Sequence, residues 1–328
     1  MFFDEIQDCI NCATSLKSFK LDGRYDVICS GSLMRINYNE IEFNSVGYKE
    51  DYELHSLDFQ EFLWAKGYSE EQVEEFYQHM VALVPFSQLE YDVLLGNFRE
   101  YMVIEEDITK YANGLDKRKI LNVYRKIPAF LGKENKKFQI TKVAHNARNR
   151  DCVGTVEWLE NAGIINVCYC MAQPELPLKG NYNPDNYKLY FGDIGLLIAS
   201  LDDEVQDDLR ANKNFNTYKG AIYENVVADE LKKQGYHLYF YRDERGAIEI
   251  DFLVRDSEFL VPVEVKADDN MAKSLNKMID SSSFGDVKYG IKYCNKNIGF
   301  NGKFYTFPYF LSCFTRRFLK EKNDDLLL

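Results

Sequence analysis

The sequence predicts a multi-domain α/β protein. Its 328 residues exceed the usual size of one domain, which is roughly 150 residues. Apolar residues make up 46% of the chain and charged residues 28%, so packed cores are expected and disorder is not. Short apolar runs bounded by turns alternate with amphipathic segments, which is the pattern of buried strands joined by helices.

Charge is distributed unevenly along the chain. The net charge of −12 argues against a protein that coats nucleic acid non-specifically. Residues 40–110 hold 17 acidic and 4 basic side chains, a net of −13, whereas residues 116–150 hold 11 basic and 2 acidic ones, a net of +9. This asymmetry predicts separate domains and one anion-binding surface, with a solvated helical face as the alternative. The candidate DNA-phosphate contacts are Lys117, Arg118, Lys119, Lys136, Lys137, Lys142, Arg148 and Arg150.

The lack of a recognisable targeting signal and the scattered cysteines predict a cytoplasmic protein without membrane association. No run approaches the roughly 18 apolar residues that span a bilayer, and the N-terminus lacks the features of a signal peptide. Eight scattered cysteines are too dilute for a disulfide framework and suit a reducing compartment. The close pairs Cys9–Cys12 and Cys168–Cys170 lack the further ligands of a zinc site, which favours buried thiols over metal.

The first half of the chain predicts two short strands followed by helices. Residues 2–3 and 25–29 are expected as strands, with a helix over residues 11–20 between them. A helical region over residues 56–80 breaks at Gly67 and begins again after Ser69, which is a favoured N-cap. Helical patterning then continues to about residue 111.

Residues 117–163 predict three helices, with short strands at 164–170 and 187–191 after them. Pro128 should kink or end the first helix, residues 141–146 form the second, and Gly163 follows the third as its C′ residue. Three helices with a β-ribbon are typical of a winged-helix segment. Beyond it, the pattern predicts a helix over 219–235, strands at 237–241, 248–254 and 259–267, and a last helix over 309–320.

Two acidic side chains and a lysine on the predicted strands 248–254 and 259–267 carry the clearest chemical signal. Alternation places Glu264 and Lys266 on the same face, and Asp251 joins them if the two strands pair as a hairpin. A cation such as Mg²⁺ or Mn²⁺ takes one or two carboxylates, and lysine can stabilise a developing phosphate charge. Glu224 on the preceding helix could supply a further ligand. The alternative is an amphipathic hairpin with a solvated polar face.

The segments Gly220–Glu224, Glu249–Leu253 and Val263–Lys266 resemble the PD-(D/E)XK nuclease superfamily, as found behind a family of prokaryotic AAA-type ATPases. Further resemblances to that ATPase family occur at residues 3–7 (its Walker B strand), 30–32 (its sensor-1 strand end), 57–63, 133–138 and 158–163. The likeness therefore covers most of the chain. It implies that Asp4 would hold the Mg²⁺ of ATP and that Glu5 would polarise the attacking water. Acids at a strand end before a helix are the simpler interpretation of the same pair.

Two departures from that ATPase family suggest a truncated or degenerate member. The sequence has no G-x-x-x-x-G-K-[ST] loop before Asp4, so we expect no ATPase activity from this chain and ATP only in a full-length relative. Residues 102–105 also lack the family's Gly-Gly-x-Pro stretch. An incomplete ATPase sheet would leave an apolar edge that a protein partner or a second copy covers.

The resulting prediction is a partial P-loop ATPase remnant with a helical lid over residues 1–112, a winged-helix segment over 113–180 and a restriction-endonuclease-like α/β domain over 181–328. The predicted function is metal-dependent phosphodiester hydrolysis by the C-terminal domain, with DNA as the partner. Two alternatives stay open. The first is a DNA-binding or regulatory module without catalysis. The second is an ATP-dependent switch, if a glycine-rich loop is encoded just upstream of Met1.

Overall fold

A computed structural model describes a mixed α/β chain with several sheets. The described residues are 1–6, 9–31, 50, 52–103, 117–133, 137–138, 149–201, 207–208, 211, 213, 217–268 and 271–325. Within them, no helix is both long enough and apolar enough to cross a membrane.

The N-terminal segment forms a small parallel β-ribbon with a helix between its strands. Strand β1 (Phe2–Phe3) pairs with β2 (Ile28–Cys29), and α1 (Ile10–Asp22) connects them. The predicted strand–helix–strand order is confirmed. Phe2 and Ile28 are each 65% exposed, so this ribbon leaves apolar surface open to solvent.

Three capped helices follow: α2 (Phe59–Ala65), α3 (Glu70–Ala82) and α4 (Gln88–Met102). Each begins at a capping box, in which the N-cap side chain and the third helical residue exchange hydrogen bonds with the backbone. Ser69 is the cap of α3, and Gly67 before it has a φ of +94°, which confirms the predicted break and restart.

Two further helices, α5 (Lys117–Leu131) and α6 (Asn149–Asn161), precede the first large sheet. Pro128 does not end α5, which runs on for one more turn, and the Pro128 carbonyl accepts from the amide of Gly132. Gly163, with a φ of +73°, follows α6 as predicted. The predicted helix over 141–146 lies outside the described residues.

The first large sheet has the order β4-β3-β5-β6. Its strands are β3 (Ile165–Met171), β4 (Tyr182–Phe191), β5 (Tyr239–Arg242) and β6 (Glu249–Ile250). The antiparallel β3–β4 pair is the β-ribbon that the sequence predicts. It is not isolated, however, because β3 also pairs in parallel with β5. The winged-helix assignment and the domain boundaries stay predictions.

The second large sheet has the order β10-β11-β9-β8-β7. Its strands are β7 (Phe252–Arg255), β8 (Leu260–Val265), β9 (Gly290–Cys294), β10 (Gly299–Phe300) and β11 (Phe304–Pro308). The helices of this part are α7 (Ile194–Ala199), α8 (Thr217–Lys233), α9 (Lys273–Asp280) and α10 (Thr315–Asp325). A 3₁₀ segment at Tyr309–Phe314 precedes α10, where one continuous helix was predicted.

The helices over residues 59–102 share one hydrophobic core with the C-terminal part of the chain. Phe310 of the 3₁₀ segment contacts aromatic rings from α2, α4 and the turn before α4, with ring centroids 5.7–6.5 Å apart. Helix α8 packs between this layer and the sheets, and its residues Val226, Val227 and Leu231 are fully buried. The polar side chains of α8 are therefore held in fixed positions beside both large sheets.

Candidate active site

Asp251 lies where the chain passes from one sheet to the other. The sequence predicted a single strand over 248–254, and this was wrong, because β6 ends at Ile250 and β7 begins at Phe252 in a different sheet. The predicted hairpin between the next two strands is present, with Phe252 opposite Val263. One Asp251 carboxylate oxygen accepts a hydrogen bond from the Val265 amide at 2.8 Å, which ties the crossover to β8.

Glu264 and Lys266 lie on the same face of this hairpin. The Lys266 ammonium is 2.6 Å from Glu264 Oε1. It also lies within electrostatic range of Asp251 and Glu224. The three groups on which the predicted chemistry depends are therefore brought together by the alternation of side chains along β8 and by the pairing of β7 with β8.

Glu224 is buried on α8 and is part of the same cluster. It accepts a hydrogen bond from the Tyr190 hydroxyl, and its Oε1 is 3.4 Å from the Lys188 ammonium. Lys188 and Tyr190 alternate with apolar residues on β4, so both side chains point from that strand toward α8. The structure therefore adds a second lysine to the cluster that sequence reasoning had not included.

Lys188 is the centre of the buried charges. Its ammonium also lies 3.5 Å from Glu249 Oε1 and 4.0 Å from Asp251 Oδ1, and the lysine side chain is 1% exposed. Glu249 is in turn 3.5 Å from the Arg242 guanidinium. Two side chains of the cluster are partly accessible to solvent: the Lys266 side chain is 30% exposed and the Asp251 side chain is 14% exposed. The cluster thus has a buried floor and an accessible rim.

Both lysines remain charged despite their burial. Burial by itself lowers the pKa of the Lys188 and Lys266 ammonium groups, but the surrounding carboxylates raise both values above the ordinary one. Burial and the charge of Glu224 raise the pKa of the Tyr190 hydroxyl, so that hydroxyl keeps its proton and donates it. Neither lysine is therefore a proton acceptor at neutral pH, and both act as fixed positive charges.

The donor set is compatible with a divalent cation held by two protein carboxylates. Glu264 Oε2 is buried and has no hydrogen-bond partner among the described residues, so this oxygen is an unsatisfied acceptor, and both Glu264 and Asp251 act electrostatically on Lys266. The described part of the chain contains no group of three or more His, Cys, Asp or Glu side chains arranged to hold a metal ion. A cation such as Mg²⁺ or Mn²⁺ would therefore need water and substrate oxygens to complete its ligands, which is usual for Mg²⁺.

Asp4 and Glu5 lie at the end of β1, which belongs to a different sheet from β7 and β8. Asp4 is exposed, and its carboxylate accepts a short hydrogen bond from the Ser30 hydroxyl at the end of β2. Glu5 has a φ of +47°, which is uncommon for a residue other than glycine. Of the two carboxylates predicted for a Walker B-like site, Asp4 thus contacts Ser30, the first residue of the predicted sensor-like segment.

Most of the predicted DNA-contacting side chains lie outside the described residues. These side chains are Lys117, Arg118, Lys119, Lys136, Lys142, Arg148 and Arg150. For Lys117–Lys119 and Arg150 the structure describes the helical backbone but not the side chains. Lys137 is described and half-buried. On the same basic segment, Arg125, Lys126 and Lys133 are exposed.

A sequence signal for Lys188 existed in β4. A lysine in the run Tyr187–Phe191 has apolar or aromatic neighbours on both sides, which predicts a buried ammonium that needs carboxylate partners. The partners themselves could not be predicted, because β4, α8 and the 249–251 segment are far apart in sequence.

Three family models match separate parts of the chain. Residues 1–63 match an AAA domain, residues 96–207 match a domain of unknown function (DUF8612), and residues 219–310 match another domain of unknown function (DUF4143). The first match supports an AAA-type ATPase-like relationship for the N-terminal segment. No curated protein and no solved structure matches the chain.

Proposed function

We propose that the C-terminal part of the chain is a metal-dependent phosphodiesterase of the PD-(D/E)XK type, in a protein related to AAA-type ATPases. One observation carries the proposal. Asp251, Glu264 and Lys266 lie together on one face of adjoining strands, and Glu264 presents a buried carboxylate oxygen without a hydrogen-bond partner among the described residues. Such an oxygen is costly unless a cation or a donor satisfies it.

The proposed division of roles follows from position and charge. When bound by Asp251 and Glu264, a divalent cation supplies charge for the scissile phosphate and activates water. Lys266 remains protonated at the accessible rim, so it stabilises the negative charge that develops on the phosphate oxygens. Glu224 and Lys188 form the buried floor, and the Lys188 ammonium, which is paired with Glu224, attracts the Asp251 carboxylate and holds it in place.

The test is cleavage of plasmid and single-stranded DNA by the full chain with Mg²⁺, with Mn²⁺ and with a chelator. Lys266→Met and Glu264→Gln are each expected to lower the cleavage rate by about 100-fold or more. Glu258→Gln and Lys273→Met are matched controls, because both side chains are exposed and lie outside the cluster. Mn²⁺ binding by the full chain, followed by electron paramagnetic resonance, is the second readout, and Glu264→Gln should weaken it.

The outcomes separate the candidate functions. Cleavage that survives both Lys266→Met and Glu264→Gln would reject the proposed site. Salt-dependent DNA binding without cleavage or Mn²⁺ binding would favour the second candidate, a DNA-binding or regulatory module. That candidate is supported by the exposed Arg125, Lys126 and Lys133 on the basic segment. Neutralising Lys136 and Lys137 should then weaken DNA binding and reduce its salt dependence.

ATP is proposed only for a chain that also carries a glycine-rich phosphate-binding loop. The AAA-domain match over residues 1–63 supports this role for Asp4 and Glu5. Asp4 would hold the Mg²⁺ of the nucleotide, and Glu5 would orient the attacking water. ATP hydrolysis by the 328-residue chain, abolished by Glu5→Gln, would contradict the expectation that this chain lacks ATPase activity.

A further inference from the structure

Two thiols at the start of α1 lie in direct contact. Cys9 is the N-cap residue of this 13-residue helix and Cys12 lies in its first turn, and their sulfur atoms are 2.9 Å apart. Cys9 is exposed and Cys12 is half-buried, which corrects the expectation of buried thiols for this pair. By contrast, the other described cysteines, apart from the half-buried Cys29, are buried: Cys168, Cys170, Cys294 and Cys313.

The two thiols differ in acidity because of their mutual hydrogen bond. This bond lowers the pKa of the Cys9 thiol and raises the pKa of the Cys12 thiol. A dithiol pair in which the more exposed member ionises more readily has one nucleophile and one resolving thiol. The sulfurs need to approach by only about 0.9 Å to reach the length of a disulfide bond.

We propose that Cys9 and Cys12 form a thiol–disulfide exchange site that reacts with low-molecular-weight disulfides of the glutathione type. The Cys9 thiolate attacks one sulfur of the oxidant, a mixed disulfide forms, and one thiol leaves with a proton. Cys12 then attacks the Cys9 sulfur and releases the second thiol. The oxidant gains the two electrons that the cysteine pair loses, and excess reduced thiol reverses both steps.

The site lies at the beginning of the helix that connects β1 to β2, a few residues after Asp4 and Glu5. A reversible bond at this position suits a reducing compartment, where protein disulfides are mostly transient. Cys29 at the end of β2 is near enough for its charge to affect Cys12. A bond between Cys12 and Cys29 is therefore the competing product that the experiment must distinguish.

The test treats the reduced full chain with oxidised glutathione, quenches with acid, blocks the remaining thiols and maps the peptides by mass spectrometry. The wild-type chain should lose two free thiols and gain a Cys9–Cys12 bond that reduced glutathione reverses. Cys12→Ser should retain a stable glutathione adduct on Cys9. Cys9→Ser should react more slowly than Cys12→Ser, because the thiol that remains in Cys9→Ser is half-buried and less accessible to the oxidant, whereas Cys9 is exposed.

Cys168→Ser is the control, since it removes a buried thiol and should leave the reaction unchanged. Three results would each overturn the proposal. They are a stable adduct on Cys9 in the wild-type chain, equal rates for Cys9→Ser and Cys12→Ser, and a product that joins Cys12 to Cys29. The measurement requires no catalytic activity, so its outcome is independent of the proposed phosphodiesterase.

Discussion

Replacing Glu230 with glutamine should change how the stability of the chain depends on pH. Glu230 lies on α8 and is completely buried. Its Oε1 accepts hydrogen bonds from the Phe59 amide at 3.2 Å and from the Tyr101 hydroxyl at 2.7 Å. Its Oε2 has no hydrogen-bond partner among the described residues. Burial raises the pKa of Glu230 from 4.5 to about 7, although the nearby Lys233 ammonium partly opposes that effect.

The size of the effect follows from this difference in pKa between the unfolded and folded states. A rise from 4.5 to about 7 corresponds to about 3 kcal/mol of free energy of unfolding. The folded state holds the proton more tightly, so this contribution is fully present below about pH 4.5. It is lost as the pH rises through 7. A glutamine cannot ionise, so Glu230→Gln should gain stability relative to the wild type by about 3 kcal/mol between pH 4.5 and pH 8.

Urea unfolding, followed by circular dichroism at half-unit intervals from pH 4.5 to 8.5, measures this difference. Asp229 is also buried with a raised pKa, which is due mainly to burial and only in small part to the charge of Glu230, so most of its pH dependence is common to both proteins. Glu258→Gln serves as the control because Glu258 is exposed, and its curve should follow that of the wild type. If the curves for Glu230→Gln and the wild type stay parallel across the range, the argument from burial is wrong.

Two further substitutions test the packing and the charge balance of the described fold. Lys188→Met should lower the free energy of unfolding by about 3–5 kcal/mol at pH 7.5, since it leaves the Glu224 and Glu249 carboxylates without their cation. The double variant Lys188→Met/Glu224→Gln should recover part of this lost stability, because it also removes the buried negative charge of Glu224. A urea-unfolding loss below about 1 kcal/mol for the single variant would contradict this role. Gly290→Ala should cost about 1–3 kcal/mol, because its Cβ would lie 2.6 Å from Leu275 Cδ1 and 2.9 Å from the Pro262 carbonyl oxygen. Gly96→Ala in the open interior of α4 should instead gain about 0.5–1 kcal/mol, and equal thermal-unfolding shifts for the two glycine variants would refute the steric argument.

Helix caps and turns were predictable because they depend on neighbours within a few residues. Ser69 as the cap of α3 and Gly163 after α6 are both confirmed, and each is determined by local hydrogen bonds or by a positive φ. The effect of Pro128 was not predictable in the same way. Helix α5 continues beyond it with Ile127 and Leu131 buried in the core, and tertiary packing compensates for the lost backbone donor.

Asp251 shows where local patterns stop being informative. The run from Ile248 to Val254 has the alternation of one strand, yet β6 and β7 belong to different sheets. The break depends on which distant strands each half pairs with, β5 for one and β8 for the other. Sequence alternation indicates the face of a side chain, but it does not reveal which partner strand the backbone meets.

By itself the sequence determined the cap of α3, the glycine that follows α6 and the shared face of Glu264 and Lys266, because these depend on short-range patterns. Only the tertiary structure brought Lys188, Tyr190 and Glu224 to the β7–β8 hairpin, from segments far apart in the chain. Buried charges need partners of opposite charge, and a charged residue within an apolar run, such as Lys188, indicates from the sequence that such a partner is required. Which charges meet is decided by how the sheets and α8 pack, since contact over such separations is a property of the whole fold.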